Sequence, residues 1–131
     1  MTANQIVVPL PEKEADAKTR IIFQEIKSAF RVSEVPEIFR VMARFPFYLE
    51  TSWQRIRFAF FTDGRLDVRT KWMIGLAVSA SNNNKSMILE CTRMLRALGA
   101  TDVDLAELMA VVDTTNGLNK TLKAAGALTG H

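Results

Sequence analysis

Few residues of this chain could carry covalent or acid–base chemistry at neutral pH. Cys91 is the single cysteine and His131 the single histidine among 131 residues. One thiol cannot close a disulfide within its own chain, so dithiol redox chemistry has no intrachain partner here. No imidazole precedes residue 131 to serve as a base or metal ligand, and neither a metal nor another cofactor is expected. Carboxylates remain.

The surroundings of Cys91 point to packing. Met87 precedes it by four residues, Leu95 follows it by four, and Leu98 continues the same apolar stripe. A lone cysteine on such a stripe reads as a small buried hydrophobe. The sharper alternative is a one-cysteine peroxidase or sensor that forms a sulfenate. That chemistry needs a depressed thiol pKa and a second thiol from outside. Upstream, Ser81-Asn82-Asn83-Asn84 are turn and helix-cap residue types, and Trp72 reads as core or interface.

These residues must be positioned by helices. Ile6 to Pro11 is expected to be extended, because two nearby prolines forbid a helix through them. Pro11 then opens a first helix, with Glu12, Glu14 and Asp16 near its positive end. Ile22, Phe23, Ile26, Ala29 and Phe30 recur at spacings of three and four, an amphipathic pattern. Pro36 starts a short helix through Ala43. Pro46 starts a third, with Leu49, Trp53, Ile56 and Phe60 on one side. After the turn Thr62-Asp63-Gly64-Arg65, Asp67 is placed to cap a fourth helix over Val68 to Ala80. That helix is apolar on nearly all sides and is expected to be surrounded by others. A fifth helix stops at Gly99, a natural left-handed cap. Thr101 and Asp104 resemble a capping box for the last helix, which Asn116-Gly117 is expected to interrupt before Leu118 to Ala125. No segment alternates as a strand. The expected fold class is all-α, about six helices in one domain over residues 1–131, with an extended arm at 1–11.

Bulk properties agree. Apolar residues make up 48% of the chain, which suits a globular helix-former. The net charge of +3 comes from interspersed acids and bases, so neither nucleic acid nor a membrane is an expected partner. Arg40, Arg44, Arg55, Arg57, Arg65 and Arg69 form a basic belt, with Glu37, Glu50 and Asp67 as expected partners. The run Met73 to Ala80 falls well short of the ~20 residues a bilayer requires. The first residues carry no signal-peptide pattern, and an unpaired cysteine suits a reducing compartment, so a cytoplasmic address is expected. The phenylalanines between Phe39 and Phe61 exceed what a small core needs, which suggests a subunit interface.

Several ordered segments carry a family resemblance. They are Pro36 to Arg44, Asp63 to Lys71, Ala77 to Ala80, Leu95 to Asp102, and Asn116-Gly117-Leu118-Asn119. Together they resemble the carboxymuconolactone decarboxylase and alkylhydroperoxidase D (AhpD) superfamily. The resemblance implies a compact helical subunit that assembles into homotrimers or hexamers. Its peroxidase branch carries Cys-x-x-Cys at the start of helix five, a His four residues later and a Glu on helix four. Here those positions hold Asn84, Met87, Cys91 and Trp72. Asn does not ionise, a thioether cannot cross-link and an indole relays no proton, so the resemblance implies a scaffold without its peroxidase centre. The leading expectation is a non-redox homo-oligomer that binds a small molecule in a pocket lined by Trp72, Asn82, Asn84, Met87 and Cys91. Two alternatives stand beside it: a cofactor-free decarboxylase or hydrolase using a pocket Asp or Glu, for which the resemblance makes Asp63, Asp67 and Asp113 candidates by residue type alone, and antioxidant activity through Cys91.

Overall fold

A computed structural model describes residues 7–130. Among them are six α-helices, a 3-10 turn and no strand. The chain divides into two compact units, one ending at Thr62 and the other beginning at Asp63.

The first unit holds the 3-10 turn Glu12–Glu14, α1 (Ala17–Phe30), α2 (Glu37–Met42) and α3 (Pro46–Phe60). Residues 8–11 form no regular element, Pro11 is extended, and Leu10 donates its N–H to the Arg40 carbonyl at 2.9 Å. Ile6 lies outside the described residues. The first helix starts later than Pro11 suggests. Asp16 is its N-cap, accepting from the Thr19 N–H at 2.8 Å. Glu12 lies in the preceding turn, where its carboxylate accepts from Lys27 Nζ and the Val35 N–H, both at 2.9 Å. Those two donors stabilise the ionised form and hold the Glu12 carboxyl below its usual range. The acid ties the turn to α1 and to the loop before α2.

Thr19, Phe23, Ile26 and Phe30 form the buried face of α1, and α3 answers with Leu49 and Trp53. Phe30, Phe39, Trp53 and Phe61 meet as one aromatic cluster, with Phe30 edge-on to Phe61 at 4.9 Å between centroids. The buried Trp53 ring keeps its polar end satisfied by donating to Glu25 at 2.8 Å. Phe45, Phe47 and Phe58 stay exposed. One expected partner of the basic belt is met, because the Thr70 donors, with the charge of Arg69 added, hold the Asp67 carboxyl below its usual range. Arg57 pairs with Glu25 and Arg69 with Asp104, while Arg40 and Arg44 donate to the carbonyls of Val35 and Val8. Of the other expected acids, Glu50 is engaged elsewhere, by Lys18.

The second unit is a three-helix assembly of α4 (Val68–Ser81), α5 (Lys85–Ala97) and α6 (Asp102–Thr129), in which α4 packs on both others. All three starts are capped by side chains: Asp67 accepts from the Thr70 N–H, Asn84 from Met87 and Thr101 from Asp104. The Thr101–Asp104 pair is a complete capping box. Gly99 takes a left-handed φ of 92° at the turn after α5, a conformation open to glycine at little cost.

Two expectations fail here. The fourth helix is not enclosed, because Ile74 and Val78 are about half exposed on the side that α5 and α6 leave open. The last helix is not interrupted, and its 28 residues pass through Asn116-Gly117 without a break. Asn116 is held on helical geometry by donating its side-chain amide to Ser81 Oγ at 3.2 Å. Gly117 costs helix stability without breaking the helix, and a Cβ there would meet nothing within 4 Å. Gly117→Ala is therefore expected to raise stability by about 0.5–1 kcal/mol, read from the urea midpoint at unchanged slope.

Candidate functional site

The contact between α4 and α5 determines what the single thiol can do. Trp72, Leu76 and Ser79, spaced four and three apart, form the buried face of α4. Cys91, Met94 and Leu95 form that of α5. Cys91 is fully buried and lies beside the Ser79 hydroxyl, which donates to the Gly75 carbonyl at 2.7 Å. Burial pushes the Cys91 thiol pKa above its ordinary value and the neighbouring Glu90 adds to this; Ser79 offsets only part of the rise. Arg93 donates to the Glu90 carboxylate, Nε at 3.2 Å, so this cation is spent on an acid next to the cysteine.

At the start of α5, Asn84 Oδ1 accepts from the Met87 N–H at 3.0 Å. Residues at i and i+3 do meet there, as helix geometry requires, but as a cap satisfying one free N–H. Asn83 precedes it with φ of 54°, a left-handed conformation that asparagine tolerates. Met87 is partly exposed and Trp72 is buried.

The open side of α4 forms a groove with α6. One stretch, of about 380 Å³, is lined by Ala77, Val78, Val111 and Val112, with Ser81, Asn82, Thr115, Asn116 and Asn119 as its polar end. An adjoining stretch shares Ala77, Val111 and Val112 and runs past Met73, Ile74 and Leu108 to Thr70, Asp104 and Glu107. The groove thus has an apolar floor, a neutral amide and hydroxyl end, and an acidic end. Asp104 accepts from Arg69 at 2.8 Å and from the Thr101 N–H at 2.9 Å. The backbone donor leads in holding its carboxyl below the usual range.

Of the five pocket residues expected from sequence, Asn82 lines this groove. Trp72 and Cys91 lie in the core, and Asn84 and Met87 stand at the exposed start of α5. Among the aspartates, Asp63 accepts from the Val68 N–H at 3.0 Å, Asp67 caps α4 and Asp113 is exposed on α6. Ser81, Thr115, Asn116 and Asn119 were not anticipated. Thr115, Asn116 and Asn119 do carry the one-, three- and four-residue spacing of a helical polar patch, a signal masked by the expected break at Asn116-Gly117. No group of three or more His, Cys, Asp or Glu able to hold a metal stands together among the described residues.

A thiol this buried is expected to be unreactive to a disulfide reagent at pH 8 in the native state and to titrate fully in denaturant. Its folded pKa exceeds the ordinary 9.0, so the stability it contributes is complete below that value and is lost as pH rises through the folded pKa. Urea midpoints between pH 8 and pH 10.5 should therefore fall more steeply for the wild type than for Cys91→Ala. Equal slopes would remove the argument from burial.

The Carboxymuconolactone decarboxylase family profile matches residues 48–130, which spans every described residue of the second unit. The crystal structure of the alkylhydroperoxidase AhpD core from Rhodospirillum rubrum is similar to the chain with a TM-score of 0.82 and 26% identity. That likeness covers 94% of this chain and 92% of the other. No curated protein sequence matches. Through the order of its helices and the match across most of its length, the chain belongs to the carboxymuconolactone decarboxylase family and has the AhpD-like fold.

Proposed function

We propose that this protein is a single-domain homo-oligomer that has lost dithiol peroxidase chemistry and binds a small neutral molecule. One observation carries the reading: Cys91 is fully buried with its pKa raised, while the positions of the family's cysteine pair hold a cap made by Asn84 and Met87. A peroxidatic cysteine must be reached by peroxide as a thiolate, and here both access and ionisation are opposed. The exposed apolar side chains of all six helices support self-association. We place the protein in the cytoplasm on the strength of its unpaired cysteine.

We assign the ligand to the amide end of the α4–α6 groove. Asn82, Asn116 and Asn119 offer both donors and acceptors there, Ser81 and Thr115 add hydroxyls, and the apolar floor accepts a hydrocarbon or ring. Trp72 and Cys91 lie in the core of the same unit, and Asn84 caps α5 at Met87, so none of the four lines this groove. The decarboxylase or hydrolase reading would instead use Glu107 at the acidic end, since Asp104 is already engaged by its cap and by Arg69.

The purified protein with an organic hydroperoxide and a dithiol reductant is expected to consume peroxide at the protein-free rate. Turnover abolished by Cys91→Ser would refute the loss of redox function. With benzamide as a neutral probe, binding followed by ligand-detected NMR is expected, and Asn116→Leu should weaken it about tenfold, the equivalent of one good hydrogen bond. Equal binding by that variant would move the ligand elsewhere. A pH-dependent activity lost in Glu107→Gln would favour the enzyme reading.

A further inference from the structure

The second half of α6 has almost no cover. Beyond Asn116 every described residue of the helix is exposed except Gly126, which is half-buried. A segment of this length is marginally helical in water unless an apolar face is packed. The face it presents is ordered. Asp104, Leu108, Val111, Thr115, Leu118 and Leu122 follow one another at spacings of four, three, four, three and four, the repeat of a two-helix seam. Val111, Thr115, Leu118 and Leu122 are exposed along it.

Two features identify the occupant. The spacing reads the same in both directions about position 113, so a second α6 running antiparallel sets Leu108 against Leu118 and Val111 against Thr115. Charge along the helix is also segregated. Asp102, Asp104, Glu107 and Asp113 are its acids, while Lys120 and Lys123 are its bases. Antiparallel pairing lays the half that carries Asp102, Asp104 and Glu107 beside the half that carries Lys120 and Lys123, leaves Asp113 on the axis and opposes the helix dipoles, whereas a parallel pair would align like charges.

We propose that α6 pairs antiparallel with α6 of a second copy of this chain about a two-fold axis near Asp113, over a seam of about 27 Å. This rests on the self-association and groove reading above and deepens it. Val111 and Thr115 belong both to the seam and to the groove, so the second copy walls the side of the ligand site that one copy leaves open.

The test uses the full chain. Sedimentation should give an even number of subunits, and Leu118→Glu with Leu122→Glu should halve it, with helical circular dichroism lost only to the extent of the end of α6. An unchanged subunit number in that variant would overturn the α6 pairing and leave self-association standing, while a monomeric wild type would overturn both. Should the double variant fail to fold, cross-linking decides. With a copper–phenanthroline oxidant, Val111→Cys mixed with Thr115→Cys is expected to give the mixed disulfide dimer, and Ala125→Cys alone is expected to give none. Ready self-cross-linking of Ala125→Cys would indicate a parallel pair and overturn the proposal.

Discussion

Burial of the α4 face formed by Trp72, Leu76 and Ser79, and of the α5 face formed by Cys91, Met94 and Leu95, is the constraint on which the second unit depends. Removing these side chains from water supplies the main favourable term for three helices that would be marginal alone. It also decides the chemistry. A sulfur enclosed among apolar side chains holds its proton, because the anion would lose its hydration with nothing comparable in return. Packing and the raised pKa of Cys91 therefore have one cause. Any route to a reactive thiol would have to weaken the contact that holds the unit together.

The same economy appears at helix ends. Asn84, Asp67 and the Thr101–Asp104 pair satisfy backbone N–H groups that helix geometry leaves free. Asp104 does three things at once: it closes the capping box, pairs with Arg69 and borders the groove. Such carboxylates are kept ionised by their donors and are poorly suited to exchanging protons near neutrality. Asn116 has a comparable double position, bonding to Ser81 across the groove and keeping α6 continuous where its residue types favour a break.

What remains open on the second unit has chemical character. The groove between α4 and α6 grades from carboxylates through aliphatic side chains to amides and hydroxyls. Amide groups beside an apolar floor discriminate ligands by requiring partners, since an unmatched donor or acceptor costs free energy when a ligand displaces water. The similarity to an alkylhydroperoxidase core is therefore one of helices and their arrangement. Activity belongs to side chains placed on that frame.

Much of this was legible in the residue order. Proline positions, the four- and three-residue stripes, Asp67 as a cap and the Thr101–Asp104 box act over a few residues, so local physics suffices to read them. The count of thiols and imidazoles is likewise a property of composition, and it removes intrachain dithiol chemistry before any fold is known. Long-range partners were not legible. That α4 keeps Ile74 and Val78 half exposed, that Asn116 reaches Ser81, and that Asn82 faces a groove while Trp72 does not, each depend on which helix lies opposite. No local pattern encodes that choice, because an apolar face specifies only that it will be covered, and tertiary packing decides by what.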